Sequence, residues 1–208
     1  MTQPLTLLHS AEVHRRTFDT LRDDIAPALK LDHQVRADWL ARARSDGMTG
    51  QLAAEIRKAV QAAPGPVLCT CTTLGEAAVA AGATRIDQPM MAAAARSDGP
   101  ILLVCALKST EAPSRALLQA CLDDGGRDTP VTTLVVEELW PLFEAGQGAN
   151  FCAAIAAVVI EAVQARPDFR TVVLAQASMA AAVHLLDGVG PEVLAAPELA
   201  FRSVLDLS

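Results

Sequence analysis

The sequence predicts an α/β protein made of two related halves, each a parallel sheet flanked by helices. Short, continuously apolar segments alternate along the 208 residues with longer segments of helical period. Strands that are apolar on both faces and separated by amphipathic helices are typical of a parallel sheet covered on both sides. The motifs of the first half recur in the same order in the second half, which predicts that the two halves have related structures.

The predicted elements follow one another in strand and helix order. Strands are expected at Pro4–Leu8, Lys30–Val35, Pro66–Thr70, Ile101–Ala106, Val131–Val136 and Thr171–Ala175. Helices are expected at Val13–Arg22, Thr49–Ala62, Leu74–Ala81, Ala112–Leu122, Asn150–Ala165 and Met179–Leu186. A proline in the first turn predicts two further helices, which open at Gln88-Pro89 and at Ala196-Pro197.

The internal repeat is clearest at the third strand of each half. Pro66-Val-Leu-Cys-Thr-Cys-Thr-Thr-Leu74 aligns with Thr171-Val-Val-Leu-Ala-Gln-Ala-Ser-Met179, and this alignment places Cys71 opposite Gln176. We therefore expect one α/β half over residues 1–97 and a second over 98–208, with the C-terminal helix able to pack on the first half. Ligands bind beyond the carboxyl ends of the strands in open parallel sheets, so an active-site cleft between the halves is expected.

Composition excludes several classes of function. The chain has 17 Lys and Arg against 24 Asp and Glu, a net charge of −7, and only 3% aromatic residues. This balance argues against nucleic acid as a partner, because the phosphate backbone requires a basic surface and unpaired bases require stacking platforms. The longest apolar run, Phe151–Ile160, is too short to span a bilayer, so no membrane partner is expected.

The expected location is the cytoplasm, because the N-terminus has no basic segment ahead of an apolar one. The five cysteines are an odd number and are expected to be free thiols. The chain is compatible with a homodimer, which is the commonest assembly of soluble oligomers, although nothing in the sequence locates an interface.

Cys71 is the strongest candidate for a catalytic residue. It follows a strand, lies among hydroxyl side chains, and precedes a helix for which Thr73 and Glu76 predict a capping box. A helix N-terminus lowers the pKa of a nearby thiol. The alternative is a small buried side chain, since free cysteine is among the most buried residue types. The hydroxyl groups beside Cys71 favour the functional interpretation.

Other polar side chains also follow the predicted strands. They suit the binding of a carboxylate or an oxyanion, although each is equally typical of an ordinary helix cap or turn. These residues are His9, Ser10, Ser109, Thr110, Gln176 and Ser178.

No cofactor or metal site is expected. The histidines and cysteines lack the spacing of metal ligands, and no glycine-rich phosphate loop or nucleophile elbow is present. A cofactor-free mechanism is the interpretation that remains.

The motifs resemble those of the aspartate/glutamate racemase superfamily, which includes glutamate, aspartate and hydantoin racemases, maleate isomerase and arylmalonate decarboxylase. The resemblance lies in Cys71-Thr-Thr73 at one strand end and in Leu174-Ala-Gln-Ala-Ser178 at another, and it extends over nearly the whole chain. It implies that Cys71 is an acid/base at the α-carbon of a small carboxylic acid. It also implies that the carboxylate is bound by Ser10, Thr72, Thr73, Ser109, Thr110 and Ser178.

The chain departs from this pattern at Gln176, which stands where the racemases carry a second cysteine. An amide exchanges no proton near neutral pH. The expected activity is therefore that of an isomerase, racemase or lyase with a single cysteine acid/base, and racemisation would need a partner such as His9 or His184. A small-carboxylate-binding protein that has lost catalysis, and a structural or interaction domain, are the alternatives.

Overall fold

In a computed structural model that describes residues 3–206, strands alternate with one or more helices over the described residues. The strands are β1 (Leu5–His9), β2 (Leu31–Val35), β3 (Val67–Cys69), β4 (Thr84–Arg85), β5 (Ile101–Cys105), β6 (Val131–Val135), β7 (Thr171–Leu174) and β8 (Glu192–Ala195). The helices are α1 (Val13–Ile25), α2 (Ala37–Asp46), α3 (Gly50–Ala62), α4 (Thr72–Val79), α5 (Gln88–Ala94), α6 (Lys108–Asp124), α7 (Trp140–Glu144), α8 (Gly148–Ala165) and α9 (Ala196–Val204). Two 3-10 helices lie at Glu137–Leu139 and Ala177–Leu185.

The strands form two parallel sheets of four strands with the same order. One sheet runs β2-β1-β3-β4 and the other runs β6-β5-β7-β8, and every pairing between neighbours is parallel. In each sheet the first strand of the half lies in the interior, next to the third strand. The predicted α/β fold with two helix-flanked parallel sheets is confirmed.

The chain divides into two compact units. One takes the residues up to Gln88 together with those from Pro197 onward, and the other is Pro89–Ala196. In the first unit α9 contributes Phe201, whose ring centroid lies 6.2 Å from that of Phe18 on α1. Both rings are fully buried, so the C-terminal helix belongs to the core of the first unit.

The first unit packs its helices on a sheet with a fully buried central strand. All five residues of β1 are buried, which is typical of an interior parallel strand. On α3 the buried residues Leu52, Ile56 and Val60 recur every four positions and form one apolar stripe. This stripe packs in a cluster with Trp39 of α2 and Leu74 of α4.

The second unit has the same arrangement around β5, whose five residues are all buried. Helix α8 supplies Phe151, Ile155 and Val159, spaced four residues apart, to a cluster that also contains Trp140. The Trp140 and Phe151 rings meet edge to face at 6.2 Å, a favourable geometry for two aromatic groups.

Helix α8 extends beyond the apolar run Phe151–Ile160 at both ends. Among the described residues it is the one helix whose length and composition would allow it to cross a membrane, with a mean hydropathy of 1.6 over Gly148–Ala165. A single helix of this kind is weak evidence for a membrane, because the core helix of a soluble protein has the same properties.

Four elements differ from the predicted ones. Strands β4 and β8 were not predicted, because they have only two and four residues and lack a long apolar run. Helices α2 and α7 were also not predicted, since half of the residues of α2 are polar and α7 has only five residues.

The helix predicted at Met179–Leu186 is instead a 3-10 helix. Met179 N donates to Gln176 O at its start, and Leu186 N donates to Val183 O at its end, both three residues apart. The buried side chains of this segment, Met179 and Ala182, have the spacing of a 3-10 turn.

Candidate functional site

Cys71 lies at the point where β3 passes into α4. Its backbone is extended, with φ −123° and ψ 115°, and it occupies the N-cap position of the helix. The thiol is buried, with 7% of the residue exposed, and it belongs to the apolar cluster of the first unit. The site therefore offers a thiol in an environment of low polarity at the carboxyl end of a central strand.

Three donors act on the Cys71 thiol. The Ser10 hydroxyl and the backbone N–H groups of Thr73 and Leu74 each lower the pKa of the thiol. These groups favour the thiolate. Burial acts in the opposite direction and dominates, so the pKa of Cys71 lies above its ordinary value. The thiol holds its proton at neutral pH and is suited to donating it.

The predicted capping box at Thr73 and Glu76 is wrong. The helix begins at Thr72, so Thr73 lies inside the first turn and Cys71 itself is the N-cap residue. The S/T-x-x-E pattern places the N-cap at Thr73, two residues after the N-cap in the structure. The effect is to bring the thiol directly onto the positive end of the helix dipole.

Thr72 and Thr73 thus stand in the first turn of α4, next to the thiol. Ser10 follows the carboxyl end of β1 and is the predicted site residue that the structure brings into contact with Cys71. The parallel pairing of β1 and β3 places Ser10 and Cys71 at the same edge of the sheet.

His9 is the last residue of β1 and is almost fully buried, with 1% exposed. Its Nδ1 lies 2.8 Å from Thr70 Oγ1, and its Nε2 lies 2.8 Å from Nδ1 of His33 on β2. Burial, followed by the charges of His14, His33 and Arg15, lowers the pKa of His9 to about 3. The ring is therefore neutral, and both of its nitrogens are engaged within the protein.

A buried ion pair lies on the other side of the Cys71 corner. Arg85 Nε and Nη2 donate to the two carboxylate oxygens of Asp87 at 2.6 and 2.8 Å, and Asp87 is fully buried. A Cβ at Gly75 of α4 would come within 3.3 Å of Arg85 Nε. The Arg-x-Asp spacing at the end of a strand, which points both side chains to one face, was the sequence signal for this pair.

The second unit has a different corner at the carboxyl end of β7. Gln176 follows β7 and is also buried, with 8% exposed. Its Oε1 accepts hydrogen bonds from the backbone N–H groups of Ala106 and Leu107, at 2.6 and 3.0 Å. The amide oxygen therefore accepts from two backbone N–H groups at the end of β5. The part of the Gln176 side chain that is left to act on a ligand is its NH2 group, a hydrogen-bond donor.

The other predicted residues of this unit are dispersed around the same strand ends. Helix α6 begins at Lys108, four residues before the predicted start at Ala112, so Ser109 and Thr110 lie in its first turn. Ser178 and His184 lie in the 3-10 helix Ala177–Leu185. Ser178 Oγ is buried and has no hydrogen-bond partner within the described part of the chain, whereas His184 is exposed.

The site has no arrangement suited to a metal ion. Across residues 3–206, no three His, Cys, Asp or Glu side chains are grouped so that they could bind one.

Comparison with solved structures identifies the architecture. The chain matches the glutamate racemase of Bacillus anthracis with a TM-score of 0.69 at 15% identity, over 99% of this chain and 81% of that one. It has the fold of the aspartate and glutamate racemases. The same racemase fold is found in the glutamate racemase of Francisella tularensis in complex with D-glutamate (TM-score 0.65, 12% identity, 99% and 80% covered). It is also found in an aspartate racemase homologue of Pyrococcus horikoshii (TM-score 0.63, 11% identity, 99% of both chains covered).

No protein-family model matches the sequence, and no curated protein matches it.

We expect the free energy of unfolding to fall as the pH is lowered from 7 to 4.5. Folded His9 and His14 have pKa values of about 3 and about 4, below the ordinary 6.5, because both are buried. The unfolded chain therefore binds more protons in this range, and stability is complete above the unfolded pKa and lost below it. The loss is at most about 1.4 kcal/mol per pH unit for each histidine. Urea unfolding followed by tryptophan fluorescence measures it.

The matched variants are His14→Gln and His184→Gln. Removing the buried histidine should make the pH dependence shallower, and removing the exposed one should leave it unchanged. A wild-type urea midpoint that stays constant from pH 7 to pH 4.5 would contradict the expectation.

We also expect Gln176→Met to destabilise the chain by roughly 2 kcal/mol. The substitution keeps the size of the side chain but leaves the N–H groups of Ala106 and Leu107 buried without an acceptor. Urea unfolding checks this, with Gln164→Met on the exposed face of α8 as the control. Equal stability of the two variants would show that the Gln176 oxygen is dispensable to the fold.

Proposed function

We propose that the chain is a cofactor-independent enzyme of the racemase and isomerase type. It acts at the carbon next to the carboxylate of a small acid, with Cys71 as its single acid/base. The observation that supports this proposal most strongly is the position of Cys71 at a helix N-cap, beyond the carboxyl end of β3. The Ser10 hydroxyl also acts on the thiol and lowers its pKa. A thiol with donors around it, at the strand ends where α/β sheets bind ligands, is suited to proton transfer.

The racemase fold supports the same conclusion at a coarser level. The solved structures with this fold are named as glutamate and aspartate racemases, and one of them is a complex with D-glutamate. An amino acid of that kind carries a proton and a carboxylate on the same carbon. We infer a substrate of the same general class, a small carboxylic acid.

The raised pKa of Cys71 favours reactions in which the thiol acts first as an acid. In a decarboxylation, the bond from the α-carbon to the departing carboxylate breaks and its electron pair stays on the α-carbon. Cys71 then donates its proton to that carbon, and the thiolate recovers a proton from water. One thiol on one face is sufficient for this sequence.

Racemisation has a further requirement. The thiolate removes the α-proton from one face, and a second group must return a proton on the opposite face. Gln176 cannot do so, because an amide has no exchangeable acid near neutral pH. His9 is neutral with both ring nitrogens engaged, so a second acid/base would have to be another residue such as His184.

The developing negative charge needs donors that are already in place. Proton transfer creates an enolate-like charge next to the remaining carboxylate, and hydroxyl and N–H groups stabilise it. We assign this binding role to Ser10, Thr72, Thr73, Ser109, Thr110, Gln176 and Ser178.

A carboxylate-binding protein without turnover is the second candidate. The burial of Cys71 and the presence of Gln176 favour it, since together they leave a buried protonated thiol and an amide donor. The two candidates differ in whether bonds at the α-carbon are broken.

We expect Cys71→Ala to lower turnover by at least about a hundredfold, because a positioned general acid or base contributes roughly 10²–10⁴ to the rate. The assay is a screen of small carboxylic acids in deuterated water, in which NMR follows α-deuterium incorporation, polarimetry follows optical rotation, and released CO2 is measured.

Cys121→Ala on α6 is the control and should keep the wild-type rate. Turnover by the Cys71→Ala variant at the wild-type rate would remove Cys71 from the mechanism. Binding of an acid without exchange, racemisation or CO2 release would support the second candidate instead.

A further inference from the structure

A cavity of about 550 Å³ lies in the second unit, at the amino ends of β7 and β8. We call it the amino-end cavity. Its polar lining consists of Arg96, Ser97, Asp98, Arg170, Thr171 and Glu192. Gln176 follows the opposite, carboxyl end of β7, so the amino-end cavity is separate from the candidate site residues of this unit. Its volume is within the range of small-molecule sites in proteins.

The loop after α5 is hydrogen-bonded to the first residue of β7. Thr171 is 2% exposed, and its hydroxyl donates to Ser97 Oγ at 2.8 Å. Ser97 Oγ in turn donates to Gly99 O at 3.1 Å, and Arg127 Nη1 donates to Ser97 O at 2.9 Å. These hydrogen bonds hold the loop against the strand, so this wall of the cavity is formed before a ligand binds.

Gly99 makes room for the side chain of Arg170. A Cβ at Gly99 would lie only 2.6 Å from Arg170 Cγ, so the stem of the arginine runs across the face of the glycine. Because Cγ lies close to the backbone, it has little freedom to move aside. A side chain at position 99 would therefore displace Arg170 from the cavity wall.

Arg170 and Glu192 bring unpaired charges of opposite sign to the cavity. Their backbones are adjacent, since Glu192 N donates to Arg170 O at 2.9 Å. Within residues 3–206, neither side chain forms an ion pair, either with the other or with a third residue. A ligand that carries both charges would give each of them a partner.

Arg96 and Asp98 also remain apart, although their spacing allows a pair. Arg166 donates to the carboxylate of Asp168, two residues further on, at 2.9 Å. Arg96 Nη1 instead donates to a backbone carbonyl of α5 at 3.1 Å, and Asp98 lies 3.6 Å from Arg127. The amino-end cavity is thus lined by two cations and two carboxylates that are not paired with each other.

We propose that the amino-end cavity binds a small zwitterion, a free amino acid. Arg170 binds its carboxylate, because a guanidinium matches a carboxylate with two parallel hydrogen bonds. Glu192 binds its ammonium group, which donates up to three hydrogen bonds. An ion of a single sign meets a like charge in this lining, whereas a zwitterion meets a complementary arrangement. The proposal is independent of the chemistry proposed for Cys71.

The test is an NMR titration of the 15N-labelled full chain, followed at the side-chain Nε–H signal of Arg170. The spectrum of Arg170→Gln assigns this signal by its loss. We expect a saturable shift with at least one of L-alanine, L-glutamate and L-lysine. Acetate and methylammonium each carry one of the two charges and should bind at least about tenfold more weakly, because each lacks one charge-assisted contact.

Gly99→Ala tests the placing of Arg170 without changing any charge. It should weaken amino-acid binding at least about tenfold, because the new Cβ displaces the arginine. Gly148→Ala is the matched control and should keep the wild-type affinity, since a Cβ there would meet nothing within 4 Å. Glu192→Gln should weaken amino-acid binding to a similar extent and should not weaken the binding of acetate, because it removes only the partner of the ammonium group.

The absence of a saturable shift with all three amino acids, up to tens of millimolar, would overturn the proposal. Acetate that binds as tightly as the amino acids would also overturn it, because the cavity would then be a site for simple anions. Wild-type affinity in Glu192→Gln, together with a wild-type urea midpoint, would show that the ligand binds elsewhere. Because Glu192 is exposed, this variant decides the matter even if Gly99→Ala does not fold.

Discussion

Buried polar groups in proteins are generally hydrogen-bonded, and this constraint shapes the strand ends of both units. In the first unit His9 Nδ1 lies 2.8 Å from Thr70 Oγ1, which also lies 3.1 Å from the carbonyl oxygen of Leu8 on β1. In the second unit Gln176 Oε1 accepts from the N–H groups of Ala106 and Leu107. The two sheets have the same strand order, but different side chains form the hydrogen bonds at their carboxyl ends.

The difference determines what each strand end can do. Cys71 can exchange a proton, and its helix N-cap position and Ser10 favour the charged form against the cost of burial. Gln176 can only donate and accept hydrogen bonds, and its oxygen is already used. The corner of the first unit therefore carries a group that can transfer a proton, and the corner of the second unit carries an amide.

The sequence predicts the local and the periodic features of this molecule. Apolar strands and a repeated strand-to-helix corner were sufficient to predict two parallel sheets and the placing of Cys71 at a strand end. They were insufficient for His33, which contacts His9 because β1 and β2 pair although the two residues are 24 positions apart in the sequence. The capping box was misplaced because Thr73 and Glu76 have the spacing of a cap, whereas the helix begins at Thr72 with Cys71 as its N-cap.

The most direct test of the central claim, that Cys71 lies in a ligand site, is protection of its thiol by small acids. The rate of Cys71 alkylation by iodoacetamide is measured with increasing D-glutamate, malonate or maleate, with Cys121 in the same digest as the internal reference. The account predicts saturable protection of Cys71 by at least one of these acids and a constant rate at Cys121. Equal rates at Cys71 with and without every acid would contradict it.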